Sequence, residues 1–240
     1  MSQVSKTVFQ FKHFEIHQEH SSMKIGTDGV LLGAWADVSN CKDALDIGAG
    51  TGVISLMLAQ RNVESNIHAV EIDNDSFEEA AFNFNNAAWN DRMRCFHYSI
   101  QDFAASTEQR YDLIVCNPPF FTGGTLSDAY DRNAVRHTIK LPHGELLISV
   151  RQLLKKAGKF CVILPFLEGL RFKEMAQSNG LFCNKTTGVK PDMLKPVERL
   201  LMEFSFKVSD YKYNEMCIRN EHGNYSRDYK SLTNEFYLEK

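Results

Sequence analysis

The seven residues Asp46-Ile-Gly-Ala-Gly-Thr-Gly52 constrain this chain more than any other feature. They follow a short apolar run, Ala44-Leu-Asp-Ile47, and precede a helix-length apolar stretch, Val53 to Gln60. Glycines at three alternate positions permit φ > 0 and leave backbone bare for a ligand to approach. The first amides of the following helix face that ligand. Strand, glycine-rich turn and helix in this order begin a doubly wound α/β sheet. A dinucleotide fingerprint would carry its third glycine one residue later. Taken alone, such a turn is also an ordinary tight turn.

The pattern that follows extends the sheet. Ile67 to Ile72, Met93 to Tyr98, Tyr111 to Cys116 and Phe160 to Leu164 read as further strands, and Leu181 to Val189 and Leu200 to Val208 as two late ones. Between them lie three helices. The first has Phe77, Ala80, Ala81, Phe84 and Ala88 on one stripe, with Ser76 and Glu79 at capping-box spacing. The second runs from Leu141 to Lys156 and is closed by Gly158. The third runs from Glu168 to Asn179 and is ended by Gly180. Alternation of this kind predicts a parallel sheet, and the continuous apolar strands fit positions covered on both faces. Ahead of the sheet, residues 8–18 alternate as a small hairpin, Met23 to Gly29 is a loop, and Val30 to Trp35 is a short helix. We expect one domain over residues 1–240, with an N-terminal extension at 1–40, a core at 41–209 and a C-terminal segment at 210–240.

Bulk properties narrow the class. At 240 residues and a net charge of -3, the chain is no polycation, so nucleic-acid binding needs a local basic surface. The six cysteines are scattered without a C-x-x-C pair, and Cys95, Cys116 and Cys161 lie in strand-like runs. They read as buried thiols in a reducing compartment, with no metal site. There is no apolar leader and no run long enough to span a bilayer, so a cytoplasmic protein without membrane contact is expected.

Ligands in such sheets bind beyond the carboxyl ends of the strands. Asp46 to Gly52, Glu71, Asp102 and Asn117 all fall at or just after those ends. S-adenosylmethionine carries an ammonium and a sulfonium and no pyrophosphate. A carboxylate, Asp46, ahead of Gly48 and Gly50 therefore suits it electrostatically. Glu71, 19 residues after Gly52, can accept both ribose hydroxyls. Asp102 can take the adenine amino group, or serve instead as a helix N-cap. Asn117-Pro-Pro-Phe120 then suits a planar amino acceptor. Such an amine is a poor nucleophile, because its lone pair is delocalised. The Asn117 side-chain carbonyl and the Pro118 carbonyl can accept its two N–H groups, with Pro119 lacking an N–H that could compete locally. Two prolines stiffen the turn, and Phe120 offers a ring for a flipped base. Order and spacing thus indicate methyl transfer from S-adenosylmethionine to an amino group, adenine N6 above all. Cys116 as a nucleophile is disfavoured, for want of a basic neighbour.

After the acceptor motif, residues 121–138 read as a polar loop. Residues 132–159 carry seven basic residues and one acid, and residues 185–199 carry four basic and two acidic ones. Lys155, Lys156 and Lys159 read as an ordinary helix C-terminus. Arg132, Arg136 and Lys140, next to the acceptor loop, are the candidates for substrate phosphates.

The segments Met23-Lys-Ile-Gly-Thr-Asp-Gly-Val-Leu-Leu-Gly-Ala-Trp35, Asp46 to Gly52, Asn117 to Phe120, Asn224-Tyr-Ser226 and Phe236-Tyr-Leu238 together resemble the bacterial tRNA1(Val) adenine-37 N6-methyltransferases. The two central motifs are shared by many amino-methyltransferases, so the first and last segments discriminate most. The resemblance implies a seven-stranded class I methyltransferase sheet, S-adenosylmethionine as donor and no metal. It implies the anticodon-loop region of a tRNA as substrate, without an obligate protein partner. It also implies that the N-terminal segment lies over the cofactor, with Lys24, Thr27 and Asp28 helping to close the site. Phe120 stands where the family commonly has tyrosine, and stacking needs only the ring. Two rivals share the acceptor motif or the fold. A protein-glutamine N5-methyltransferase would need a helical N-terminal domain, where only about 40 residues precede the first sheet strand. A non-catalytic RNA-binding domain would have no need of the intact acidic and glycine residues.

Overall fold

The computed structural model describes residues 7–21, 24–119 and 141–238. The first element described is the expected antiparallel hairpin, β1 (Val8–Gln10) and β2 (Glu15–His17). Helix α1 (Thr27–Trp35) is buried from Gly29 to Trp35. It is apolar all round, as a helix enclosed on every side must be.

The large sheet is built from β3 (Asp43–Ile47), β4 (Asn66–Glu71), β5 (Met93–His97), β6 (Tyr111–Cys116), β7 (Leu154–Pro165), β8 (Phe182–Lys190), β9 (Arg199–Ser205) and β10 (Lys212–Cys217). Its spatial order is β10-β8-β9-β7-β6-β3-β4-β5. Only β9 runs against its neighbours β7 and β8. Every other pairing is parallel. The strands are linked by helices α2 (Val53–Arg61), α3 (Asn74–Asn85), α4 (Ile100–Ser106), α5 (His143–Leu153) and α6 (Phe166–Ser178), and α7 (Arg227–Thr233) follows β10.

Two cores form, one on each face. Leu113, Val115, Cys161 and Ile163 pack with α1, α2, α3, α7 and the hairpin. Their sequence neighbours Ile114, Cys116, Phe160 and Val162 pack with α4, α5 and α6. Alternate residues therefore serve opposite cores, and the strands read as unbroken apolar runs.

Four details differ from the sequence expectation. Among the described residues the sheet has eight strands where seven were expected. The added β10 is exposed from Lys212 to Glu215, so it carries no apolar signal. Helix α5 ends at Leu153, and Leu154 already pairs with Tyr111. Gly158 is thus inside β7 and closes no helix. A Cβ there would lie 2.9 Å from the Tyr111 carbonyl oxygen. Lys155 and Lys159 are consequently not helix-end charges. Lys155 bridges Asp43 and Asp112, each at 2.8 Å, and Lys159 meets Asp37 at 2.8 Å and Glu203 at 3.6 Å. Finally, α3 is capped by Asp73, whose carboxylate accepts from the Ser76 N–H, so Ser76 and Glu79 form no capping box. Ala88 lies exposed beyond the end of that helix.

Candidate active site

The glycine loop is built by its neighbours. Gly48, Gly50 and Gly52 have φ of 72°, 54° and 81°, where L side chains are strained. A Cβ on Gly52 would also lie 2.6 Å from a Phe84 ring atom. Gly52 is the N-cap of α2 and has no side chain to cap it. Asp46 does that work from β3. Its Oδ2 accepts from the Ser55 N–H at 3.1 Å and the Ser55 hydroxyl at 2.8 Å. Its Oδ1 is buried without a partner among the described residues. Complete burial, opposed by the Ser55 hydrogen bonds and reinforced by the charge of Glu71, raises the Asp46 carboxyl from 3.8 to about 7.

Glu71 closes the other side of the loop. Its Oε2 accepts the Gly50 N–H at 2.8 Å, and its Oε1 accepts those of Ile72 and Asp73, both at 2.9 Å. A carboxylate has about four acceptor positions, so roughly one remains for a ligand. Asp102 is exposed in the first turn of α4. The N-cap there is Ser99, whose hydroxyl accepts from the Asp102 N–H at 3.0 Å and donates to Asp102 Oδ2 at 2.6 Å. Asp102 thus reciprocates a cap while standing just beyond β5.

Asn117 and Pro118 follow the last residue of β6, whose partner in β3 is Ile47. The acceptor turn and the glycine loop therefore leave adjacent parallel strands side by side. Pro118 is buried and Pro119 exposed. The Asn117 Oδ1 is buried and has no hydrogen-bond partner among the described residues. Cys116 is buried, and burial first, then the charges of Asp46 and Glu71, push its thiol far above the ordinary value. A thiolate nucleophile is excluded there on energetic grounds. Phe120, Arg132, Arg136 and Lys140 lie outside the described residues.

Several residues that hold this site gave no motif that pointed to it. Glu79 is buried, and its carboxylate accepts three successive backbone N–H groups, those of Glu19, His20 and Ser21. Asn83 accepts from the His17 N–H at 2.9 Å and donates to the carbonyls of His17 and Thr51, both at 2.9 Å. One side chain thus joins the N-terminal segment to the glycine loop. The Ser21 hydroxyl lies 4.0 Å from where a Gly50 Cβ would be, and 3.3 Å from the Ser76 hydroxyl. Residues 17–21 are thereby clasped beside the loop. The available signal was polar residues recurring on the buried side of α3, at Ser76, Glu79 and Asn83. A helix face that buries a Glu and an Asn must bring them partners.

Lys24 and Thr27 follow this segment and are exposed. Asp28 is turned to another use, accepting from Arg199 Nε at 2.9 Å. Among the described residues, no group of three or more His, Cys, Asp or Glu is arranged to hold a metal ion. No helix among them is long and apolar enough to cross a membrane.

Geometry and chemistry of the edge therefore fit a cationic, ribose-bearing ligand beside an amino acceptor. Comparison with known proteins agrees. Residues 20–164 match the model of the methyltransferase small domain. A tRNA1(Val) (adenine(37)-N6)-methyltransferase from Trichodesmium erythraeum is 43% identical, covering 96% of this chain and 97% of that protein. Proteins of the same name from Christiangramia forsetii and from Vibrio vulnificus are 40% and 41% identical, over 98% and 96% of this chain. Among solved structures, a predicted O-methyltransferase from Agrobacterium tumefaciens superposes with a TM-score of 0.68 at 16% identity, covering 87% of this chain and 96% of that one. A glycopeptide N-methyltransferase crystallised with S-adenosylmethionine gives 0.55 at 13% identity, covering 77% of this chain and all of that one. These two establish the class I methyltransferase fold, and the sequence relatives establish more: the chain belongs to the tRNA1(Val) (adenine(37)-N6)-methyltransferase family.

Proposed function

We propose that this enzyme transfers the methyl group of S-adenosylmethionine to the exocyclic N6 of adenine-37 in tRNA1(Val). The single observation that carries the reading is the buried Oδ1 of Asn117 beside the glycine loop, which has no partner among the described residues. An acceptor removed from water and left unpaired costs about 1–3 kcal/mol. A planar amine arriving with N–H donors relieves that cost.

S-adenosylmethionine supplies an electrophilic methyl on a sulfonium. The amine nitrogen forms the new N–C bond, the C–S bond breaks with its electron pair returning to sulfur, and one amine proton leaves. The products are N6-methyladenosine, S-adenosylhomocysteine and a proton. Asn117 Oδ1 and the Pro118 carbonyl accept the two N–H groups and draw the nitrogen toward a pyramidal shape. Orientation by a stiff turn lowers the barrier without cost at the moment of reaction. Phe120 stacks the flipped base.

Asp46 and the amides of the glycine loop hold the methionine end of the donor, where a cation offsets the buried carboxylate. Glu71 takes a ribose hydroxyl through its remaining acceptor position, and Asp102 takes the adenine amine. Lys24 and Thr27 help close the site from the clasped N-terminal segment. Arg132, Arg136 and Lys140 contact phosphates of the anticodon loop. The whole chain works as one domain in the cytoplasm, needing no metal and no obligate protein partner.

The test is methyl transfer from labelled S-adenosylmethionine to unmodified valine tRNA transcript, with release factor and DNA in parallel, followed by nucleoside mass spectrometry. N6-methyladenosine at position 37 of the tRNA alone is the expected result. Label in the release factor would transfer the case to the glutamine N5-methyltransferase, and no label with normal cofactor binding would refute the tRNA assignment.

A further inference from the structure

The eighth strand, β10, buries little. It is exposed over four of its six residues, and Met216 is its one buried side chain. Its placement explains it better than its packing does. β10 runs parallel to β8, and both run parallel to β6 through the antiparallel β9. The loops that leave β8 and β10 therefore emerge at the same edge as Asn117.

Those two loops are joined. The Ile218 N–H donates to the Lys190 carbonyl at 2.8 Å, and the Arg219 N–H to the Pro191 carbonyl at 3.0 Å. The chain then turns back, and the Ser226 N–H donates to the Ile218 carbonyl at 2.9 Å. The first loop is also braced internally, with Asp192 Oδ1 accepting from the N–H groups of Leu194 and Lys195. What this braced ridge presents is unusual for a water-facing surface. Leu194 is 97% exposed and Met193 60%. Tyr225, 46% exposed, stacks on Tyr229 with centroids 4.8 Å apart, and the Arg219 guanidinium lies 5.1 Å over the Tyr225 ring. Lys195 is exposed beside Leu194.

We propose that this ridge, formed by Met193, Leu194, Lys195, Arg219 and Tyr225, docks unpaired nucleotides of the RNA substrate; the proposal rests on the RNA reading of the active site. Single-stranded RNA is recognised by aromatic rings and guanidinium planes that stack bases, with cations at the phosphates. The ridge offers both on one rigid support. Three strand spacings separate β6 from β8 and four separate it from β10, which is about 14–19 Å at ~4.8 Å each. Five or six stacked nucleotides at about 3.4 Å each span that distance. A loop with its target base at Asn117 can therefore keep neighbouring bases on the ridge. The mixed charge there, with Glu198 and Glu221 also exposed, favours stacking and apolar contact over phosphate attraction as the main source of affinity.

The experiment uses the full chain and unmodified valine tRNA transcript, with binding measured in the presence of S-adenosylhomocysteine. Leu194→Ser changes an exposed side chain, Arg219→Gln removes a guanidinium that also donates to the Gly223 carbonyl at 2.7 Å, and Tyr225→Ala removes the ring. Each variant is expected to weaken transcript binding about tenfold, the scale of one lost stacking contact. KM for the transcript rises in step, while affinity for S-adenosylhomocysteine is unchanged. Wild-type transcript affinity in all three variants would overturn the ridge while leaving the methyltransferase reading intact. A wild-type protein that neither binds nor methylates the transcript would overturn both. A dimer in solution that Leu194→Ser dissociates would assign the ridge to a second copy of this chain and overturn the RNA role.

Discussion

The two ends of the parallel strands treat polar groups in opposite ways. At the amino ends, charges are consumed. Lys155 lies between Asp43 and Asp112, and Lys159 between Asp37 and Glu203. Burial disfavours the Lys155 ammonium, yet the hydrogen bonds it donates to Asp112 and Asp43 more than offset this and raise its pKa. At the carboxyl ends, polar atoms are held out of water with capacity to spare. Asp46 Oδ1 and Asn117 Oδ1 are buried without partners among the described residues, one on β3 and one just past the end of the adjacent strand β6. One exception sits at the other end, where Gln60 Oε1 has no partner among the described residues while its amide nitrogen donates to the Glu235 carbonyl. Pairing charges fixes a fold, whereas a buried acceptor without a donor sacrifices stability for a ligand still to come.

The sharpest way to break this comparison is Asn117→Ala. Turnover should fall about 10²–10³-fold, the loss for one oriented hydrogen-bond partner, with cofactor affinity retained. Single-turnover rates and calorimetric cofactor titration on one preparation would check it. Near-normal turnover would remove the acceptor site from the account. Glu71→Ala should come next. Losing a carboxylate that holds the Gly50 N–H and is proposed to take a ribose hydroxyl should weaken cofactor binding by about 1.5–3 kcal/mol, or roughly 10- to 160-fold. Glu79→Gln sharpens the case for the clasp. Its expected effect is smaller, about fivefold on cofactor affinity with fold stability nearly kept, because the amide still accepts part of the load. Unchanged affinity there would make residues 17–21 a mere packing segment.

The pH dependence gives a gentler test. Burial raises the Asp46 carboxyl from its ordinary 3.8 to about 7 in the folded protein. Between those values the fold retains a proton that the unfolded chain has lost. This carboxyl therefore lowers stability as pH rises toward 7, with no further change above it. Binding a cation favours the carboxylate, so cofactor affinity should rise with pH up to about 7 and then level. Binding near pH 7 should release a proton, visible as a buffer-dependent heat. Affinity that falls over that range would contradict the assigned role. Least of all, Lys155→Met at the amino ends should cost about 1 kcal/mol or less in denaturant unfolding, without changing cofactor affinity, because its ion pairs are partly exposed.

Much of the frame was legible because periodicity carries burial. The runs of β3 and β6 alternate between two cores, so their apolar character is continuous and their ends are marked by glycine or proline. β10 was illegible for the converse reason: an edge strand with exposed polar residues has no pattern to read. The end of α5 was misread because Leu153 and Leu154 continue a helical stripe, while pairing with Tyr111 decides the matter from across the sheet. Within the site, Asp46, Gly48, Gly50, Glu71 and Asn117 were visible through spacing. What spacing could not supply was occupancy. That Asp46 caps α2 and that Glu71 already holds three amides follow only from three-dimensional contacts. Glu79 and Asn83 were hidden because their partners are backbone groups some 60 residues away.

The most direct test of the contrast between the two ends is denaturant unfolding of Asn117→Leu beside Lys155→Met, each without ligand. A near-isosteric apolar side chain removes the unpaired acceptor and leaves no polar atom needing a donor. The account predicts that Asn117→Leu is at least as stable as the wild type and inactive in methyl transfer, while Lys155→Met is slightly less stable and fully active. An Asn117→Leu protein that is destabilised by several kcal/mol and still transfers methyl groups would contradict it.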